Sequence, residues 1–130
     1  MKRGYLQKLF GLDGRIALLT GASGHLGRAM ASGLCGAGAH VILNGRQQES
    51  LEQLARSLRL KDHKVSVASF DVTDESRFKK VFKRIKTDYR RLDIIMNNAY
   101  AGEAGTMNSA TPKDFINALE AAKMLAIKLK

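Results

Sequence analysis

The chain has 130 residues, of which 45% are apolar and 26% are charged. This length allows one domain, and the composition excludes wholesale disorder, collagen and low-complexity fibres. No stretch approaches the roughly 20 apolar residues that span a bilayer. The apolar run that a signal peptide needs after Lys2 and Arg3 is broken by polar residues. Together with the single cysteine, Cys35, these features favour a cytoplasmic protein with no membrane segment.

Basic residues outnumber acidic ones by 22 to 12, which gives a net charge of +10. Such an excess favours anionic partners: nucleotides, nucleic acid or an acidic subunit. Eight of the basic residues lie between Arg77 and Arg91. A run of this kind is usually a solvated helix face, so we do not expect nucleic acid as a partner.

The first strand and helix are predicted within residues 15–38. An apolar run over residues 15–20 has the length of a buried strand. Apolar residues then recur at helical spacing from Leu26 to Ala37, which indicates the buried face of a helix. Gly36 and Gly38 are predicted to end that helix.

Three further strand and helix pairs follow. The predicted strands cover residues 40–44, 65–70 and 93–97. The predicted helices carry apolar stripes over residues 51–58, 78–85 and 115–129. Thr73 is predicted to cap the third helix of the chain, with Asp74 in its first turn, and Thr111 with Pro112 is predicted to start the fourth.

This alternation predicts an α/β protein built from βαβ units with a parallel sheet. Right-handed crossovers place the helices on both faces of that sheet. The expected strand order is 3-2-1-4, the N-terminal half of a doubly wound nucleotide-binding fold. We expect residues 1–130 to form a single domain.

The glycine-rich segment Thr20-Gly-Ala-Ser-Gly-His-Leu-Gly27 follows a predicted strand and opens a predicted helix. In that context Gly21 permits a tight turn, Gly24 lets the backbone approach a pyrophosphate, and Gly27 allows close packing of helix and strand. Backbone amides near residues 23–26 can bind phosphate oxygens with help from the helix dipole. A purely structural turn is the alternative.

The second strand ends without an acidic residue. NAD-preferring domains place an acid here to bind the ribose 2′-hydroxyl, but residues 41–48 contain none. Arg46 is instead placed to meet a 2′-phosphate. The alternative is a solvated arginine in a turn.

Polar residues also follow the third and fourth strands. Asp71 can accept a hydrogen bond from an adenine amino group, or form an Asx turn that leads into the Thr73 cap, and both can hold. Asn97 and Asn98 end the fourth strand. One of them can brace the neighbouring loop, and the other can face a ribose.

Jointly, the glycine-rich segment, Asp71-Val72 and Asn97-Asn-Ala99 resemble the short-chain dehydrogenase/reductase superfamily. The resemblance extends from about Leu12 to the fourth helix. It implies a Rossmann-like fold that binds NAD or NADP. It also implies hydride transfer between the nicotinamide and a small alcohol or carbonyl substrate.

The resemblance assigns cofactor contacts along the whole motif series. Ser23 and the amides of residues 24–26 would bind the phosphates, and Arg46 would select NADP, with NAD as the weaker cofactor. The cofactor-binding residues implied in this way are Gly21, Ser23, Gly24, His25, Leu26, Gly27, Arg46, Asp71, Val72, Asn98 and Ala99.

The adenosine half of the cofactor has its own set of implied contacts. Asp71 and Val72 resemble the adenine pocket of the family. Asn98 and Ala99 resemble its ribose contact, and Asn97 would brace the sheet.

The chain departs from the family at several positions. His25 stands at the usual second glycine, Tyr100 stands at the glycine of Asn-Asn-Ala-Gly, and Ala122 stands at the asparagine of the proton relay. No Tyr-x-x-x-Lys motif occurs, so we expect no catalytic residue in this chain. Nor does any His, Cys or Asp cluster have metal-ligand spacing.

We therefore expect an oxidoreductase by descent that is inactive as this chain. A noncatalytic NADP-binding or interaction module is the alternative. The family's fifth strand would lie beyond Lys130, which leaves the edge of the fourth strand open. We expect marginal stability and self-association that increases with salt.

Overall fold

The computed structural model describes residues 4–99 together with Pro112 and Lys113. The strands are β1 (Ile16–Leu19), β2 (His40–Gly45), β3 (Val65–Ser69) and β4 (Ile94–Met96). The helices within residues 4–99 are α1 (Tyr5–Phe10), α2 (His25–Gly36), α3 (Gln48–Arg59) and α4 (Glu75–Tyr89). The predicted helix over residues 115–129, Tyr100 and Ala122 lie outside the described residues.

All four strands are parallel and follow the order β3-β2-β1-β4. The expected order 3-2-1-4 and the Rossmann-like α/β class are therefore confirmed. In register, Leu18 of β1 lies beside Ile42 of β2 and Ile95 of β4. Every residue of β1 is buried, which explains why this strand has an uninterrupted apolar sequence.

Helices cover the sheet on both faces. On one face, Leu19 and Leu43 pack with Leu51 of α3 and Ala31 of α2. On the other face, Leu18 and Ile42 pack with Ile85 of α4. Residues that alternate along β1 therefore enter two different cores, as a doubly wound sheet requires.

The start of α4 differs from the prediction. The side chain of Asp74, not that of Thr73, caps the helix by accepting a hydrogen bond from the amide of Arg77 at 3.1 Å. The Thr73 hydroxyl does not bond to the helix, because it donates to Oδ1 of Asp71, two residues earlier, at 2.7 Å. The prediction of a Thr73 cap was wrong because Asp71 competes for that hydroxyl.

The sequence did not predict α1. It is only six residues long and buries none of them, so it lacks the periodic pattern that marks longer helices.

Within the described part of the chain, no helix combines the length and the hydropathy needed to cross a bilayer. The cytoplasmic location stays a prediction.

Candidate functional site

A cavity of about 700 Å³ opens where the strands reach their carboxyl ends. Every residue that the sequence implied as a cofactor contact lines it: Gly21, Ser23, Gly24, His25, Leu26, Gly27, Arg46, Asp71, Val72, Asn98 and Ala99. The other lining residues were not predicted as cofactor contacts; they are Asn44, Gly45, Phe70 and Thr73. The fold thus brings together four segments that are far apart in the sequence.

Two glycines of the first loop are required by the packing of the protein itself. Gly21 has φ +62°, and a Cβ atom there would lie 3.0 Å from the Cα atom of Ala99. At Gly27 a Cβ atom would lie 2.8 Å from the Cα atom of Ala22 and closer still to the carbonyl oxygen of Gly21. These positions let α2 and the loop after β4 approach the glycine-rich loop at backbone distance.

Gly24 has a different environment. A Cβ atom there would be 3.6 Å from its nearest protein atom, the carbonyl oxygen of Gly21, which is an ordinary contact. None of the described residues fills the space beside Gly24, and Gly24 lines the cavity. The glycine keeps the backbone accessible to whatever occupies that space.

The amino terminus of α2 also borders the cavity. Gly24 is its N-cap residue, so no side chain caps the helix, and the first turn contains no acidic residue. Ser23, His25 and Leu26 line the cavity at this point. Amide donors without a side-chain cap, together with the positive end of the helix dipole, suit an anion such as a phosphate.

Thr20 joins the loops that follow β1 and β4. Its side chain is buried, and Oγ1 accepts hydrogen bonds from the amides of Asn98 at 3.0 Å and Ala99 at 2.9 Å. Asn98 Nδ2 donates in return to the carbonyl of Gly21 at 3.1 Å. The brace that we assigned to Asn97 is therefore made by Asn98, which also lines the cavity.

Asn44 performs a similar task between β2 and β3. It is 1% exposed, and its Nδ2 donates to the carbonyls of Ala68 and Phe70, both at 3.0 Å. The backbone carbonyl of Asn44 accepts a hydrogen bond from the amide of Ala22 at 2.8 Å. Asn44 thereby holds the glycine-rich loop and the segment after β3 in one arrangement.

These positioning roles of Thr20 and Asn44 were not predicted from the sequence. Both are polar residues at the carboxyl end of an otherwise apolar buried strand, and that pattern was available in the sequence. A buried polar side chain must find partners, so the pattern indicates a residue that organises the neighbouring loops.

Asp71 forms the Asx turn that was one of its two interpretations. Its Oδ1 accepts from the Thr73 hydroxyl at 2.7 Å and from the Thr73 amide at 2.9 Å. These two hydrogen bonds, with a smaller contribution from the positive charge of Arg46, hold the pKa of Asp71 below its usual value. Asp71 is therefore an ionised acceptor at the cavity wall at neutral pH.

Arg46 is exposed in the turn after β2 and lines the same cavity. Its backbone is held in place, because Ser69 Oγ donates to its carbonyl at 3.2 Å. Its guanidinium forms no hydrogen bond or ion pair with a described residue. The positive charge is thus available to a ligand that enters between β2 and β3.

The search for a possible metal site covers the described ranges, residues 4–99 and 112–113. No three His, Cys, Asp or Glu side chains converge there into a possible ligand set. Cys35 is buried in the core, and burial raises the pKa of its thiol, so it behaves as a core residue.

Comparison with known proteins identifies a family that this chain resembles over most of its length. The family model for short chain dehydrogenases matches residues 15–126. Gluconate 5-dehydrogenase from Gluconobacter oxydans is 38% identical over 107 residues, which are 82% of this chain and 42% of that protein.

Solved structures of sugar and polyol oxidoreductases also match this chain. The L-sorbose reductase from Gluconobacter frateurii, complexed with NADPH and L-sorbose, matches with a TM-score of 0.73 and 32% identity, over 90% of this chain and 46% of that one. An NAD⁺-bound xylitol dehydrogenase matches with a TM-score of 0.73 and 27% identity, over 88% of this chain and 46% of that one.

The chain spans less than half the length of each of these relatives. The matched part includes β1 to β4 and the loops that line the cavity. The glycine-rich loop, the cavity at the carboxyl ends of the strands and the family match agree, and the chain belongs to the short-chain dehydrogenase/reductase family of oxidoreductases.

Proposed function

We propose that this chain is the dinucleotide-binding part of an NAD(P)-dependent oxidoreductase. The observation that carries the proposal is that one cavity, which the amino terminus of α2 borders, is lined by all the implied contacts. When bound, the nicotinamide cofactor supplies the hydride chemistry of the family, which acts on an alcohol or carbonyl group.

The residues around the cavity would each bind the part of the dinucleotide that suits their chemistry. Uncapped amides at the start of α2, beside Ser23, provide donors for the pyrophosphate. The ionised carboxylate of Asp71 provides an acceptor for the adenine amino group, next to the apolar wall of Val72. The loop that holds Asn98 and Ala99 provides the ribose contact.

We propose that NADP binds more tightly than NAD. The exposed Arg46 guanidinium is free to pair with a 2′-phosphate, and a planar guanidinium binds phosphate oxygens in bidentate fashion. No carboxylate in residues 41–48 is present to bind a free 2′-hydroxyl. Both cofactors occur among the relatives, since the sorbose reductase was solved with NADPH and the xylitol dehydrogenase with NAD⁺.

Titration calorimetry of the 130-residue chain with NADP and with NAD tests this proposal. We expect tighter binding of NADP, and we expect Arg46→Asp to reverse the preference. Lys61→Asp is the matched control, because it makes the same charge change at an exposed turn beyond α3. Equal affinities in the parent chain, or the same loss in both variants, would contradict a role for Arg46.

We propose that the 130-residue chain on its own binds a dinucleotide without reducing a carbonyl. Carbonyl reduction needs a positioned proton donor, and the family's Tyr-x-x-x-Lys pair does not occur in these residues. Absorbance of NADPH in the presence of L-sorbose and other carbonyl compounds tests this. A steady loss of NADPH would contradict the proposal. Binding without turnover is the result expected of the dinucleotide-binding part of an oxidoreductase, and equally of the alternative, a noncatalytic NADP-binding or interaction module.

We also propose that the chain self-associates along β4. In the described sheet β4 pairs only with β1, and its three side chains, Ile94, Ile95 and Met96, are half-buried. The net charge of +10 opposes association, but salt at physiological strength screens it beyond ~8 Å. Sedimentation at low and physiological salt should show a mass that rises with salt. A monomer under both conditions would refute this.

A further inference from the structure

Three polar side chains meet at the end of the sheet opposite the cavity. His40 begins β2, Ser66 lies near the start of β3, and Tyr89 is the last residue of α4. His40 Nε2 is 2.6 Å from Ser66 Oγ, and Ser66 Oγ is 2.5 Å from the Tyr89 hydroxyl. The Tyr89 hydroxyl is 3.3 Å from His40 Nε2. We call these three residues the amino-end cluster.

The cluster joins the end of α4 to the neighbouring strands β2 and β3. All three residues are half-buried, and the rings of His40 and Tyr89 meet edge to face with centroids 4.9 Å apart. Tyr89 occupies the final turn of α4, just before Arg90 adopts a left-handed conformation with φ 59°. The cluster therefore fixes the carboxyl-terminal turn of α4 to β2 and β3.

The hydrogen bonds of the cluster depend on the protonation state of His40. A neutral imidazole with its proton on Nδ1 accepts at Nε2. Tyr89 can then donate to Ser66, and Ser66 can donate to His40, so that both hydroxyl hydrogens have an acceptor within the cluster. A protonated imidazole must donate from Nε2 instead. Ser66 Oγ can accept that hydrogen, and one of the two hydroxyl hydrogens, of Ser66 or of Tyr89, then has no acceptor within the cluster.

The surroundings of His40 favour the neutral imidazole. Burial lowers the pKa of His40, and the positive charges of Lys64, just before β3, and Arg59, at the end of α3, lower it further. Arg59 is held on the same side because its Nη2 donates to the carbonyl of Val65 at 3.2 Å. The helix and the loop that flank β3 thus both present cations.

The remaining charged groups near the cluster do not offset these cations. From α4, Arg84 and Asp88 form an ion pair at 3.6 Å. They line a cavity of about 180 Å³ beside Ser66 and Tyr89. The guanidinium of Arg15, whose carbonyl accepts from the His40 amide, is paired elsewhere.

We propose that the amino-end cluster is a pH-sensitive tie that holds the last turn of α4 against the sheet and weakens as the solution becomes acidic. A histidine whose folded-state pKa is depressed is protonated first in the unfolded or detached state. The stabilisation that the cluster contributes is therefore complete above pH 6.5, the ordinary pKa of histidine, and is lost as the pH falls below that value.

Amide hydrogen exchange, corrected for the intrinsic effect of pH, tests the tie at about pH 7.5 and about pH 5. The amide of Arg90, which donates to the carbonyl of Lys86 at 3.1 Å, reports on the last turn of α4. Its protection should fall at acidic pH, by at most about 30-fold if His40 stays neutral while attached. Amides at the start of α4 should change less.

Variants separate the cluster from other titrating groups. His40→Gln keeps an acceptor that does not titrate, so the last turn should be equally protected at both pH values. His63→Gln, at a histidine outside the cluster, should keep the response of the parent chain. Tyr89→Phe removes the tie, so the last turn should exchange rapidly at both pH values.

Two results would overturn the proposal. One is equal protection of the last turn at both pH values in the parent chain. The other is an undiminished pH response in His40→Gln. If that variant does not fold, nuclear magnetic resonance of the parent chain decides, since the ring of His40 and the amide of Arg90 must titrate with the same midpoint. Different midpoints would exclude the tie.

Discussion

The two ends of the parallel sheet differ in how far their polar groups are hydrogen-bonded within the protein. At the amino end, polar side chains bond to one another or to the backbone, as Asp93 does with the amide of Ile16 at 2.8 Å. At the carboxyl end, the first turn of α2 has no side-chain cap, and the Arg46 guanidinium has no partner among the described residues. One end is closed by the chain itself, and the other leaves donors for a ligand.

This contrast explains how a buried sheet supports a binding site. The few polar side chains that are buried at the carboxyl end, Thr20 and Asn44, bond to the loops and hold them in place. The groups that remain open lie around the cavity. Ligands of open α/β sheets bind at this end because the loops there present backbone donors and charges together.

The largest effect is expected from closing the space between α2 and the glycine-rich loop. In Gly27→Ala the new methyl would lie 2.8 Å from the Cα atom of Ala22, beside backbone atoms that cannot rotate away. We expect a loss of about 3 kcal/mol or more in the free energy of unfolding, together with loss of dinucleotide binding. Urea unfolding and titration calorimetry measure the two effects.

Gly33→Ala is the matched control in the same helix, because a Cβ atom there has no neighbour within 4 Å. Alanine in an exposed helix position should stabilise the chain by about 0.5–1 kcal/mol relative to glycine. Similar effects of the two substitutions would show that close packing is not what requires glycine at position 27.

Much of the carboxyl end could be predicted because its signals are local in the sequence. The turn after β1, the residues that follow β3 and the asparagines after β4 each stand directly at the end of an apolar run. The strand order followed from the alternation of strands and helices. Each of these inferences needed only neighbouring residues and the rules of parallel sheets.

The amino end could not be predicted in the same way, because its contacts join distant residues. His40 and Tyr89 are 49 positions apart, and Arg15 and Asp93 are 78 apart. No local pattern indicates which polar side chain will meet which. The Thr73 cap failed for a different, local reason, since Asp71, two positions earlier in the chain, accepts the hydrogen bond of the Thr73 hydroxyl.

A smaller effect is expected from removing the hydroxyl that joins the loops after β1 and β4. Thr20→Val keeps the shape of the side chain but leaves the amides of Asn98 and Ala99 without their acceptor. An unsatisfied buried group costs about 1–3 kcal/mol, so we expect a loss of that size in urea unfolding. Thr87→Val, at an exposed position of α4, should change stability by less than about 0.5 kcal/mol.

The loop contact should also appear in binding, because Asn98 and Ala99 line the cavity. We expect Thr20→Val to weaken dinucleotide binding, and Thr87→Val to leave it unchanged. Equal stability and equal binding in both variants would show that Thr20 does not position the loop.

The smallest expected effect concerns the amino end and appears only in acid. Asp93 accepts a bidentate pair of hydrogen bonds from Arg91, at 2.9 and 2.6 Å, and one from the amide of Ile16. Hydrogen bonding to Arg91, followed by that to the Ile16 amide, lowers the pKa of Asp93 from 3.8 to about 2. The ionised carboxylate thus links the start of β4 to the start of β1.

The direction of the pH effect follows from this lowered pKa. Because the unfolded chain binds the proton more readily, the contribution of Asp93 to stability is complete above pH 3.8 and is lost as the pH falls toward about 2. In Asp93→Asn the urea midpoint should fall less between these pH values than in the parent chain. Part of the fall should remain, because the pKa of Asp71 is also lowered and Asp71 still contributes to it. Asp62→Asn, in the turn after α3 where φ is 60°, is the control that should retain the full acid response. An unchanged acid response in Asp93→Asn would mean that the hydrogen bonds from Arg91 and Ile16 to the ionised Asp93 carboxylate do not stabilise the fold.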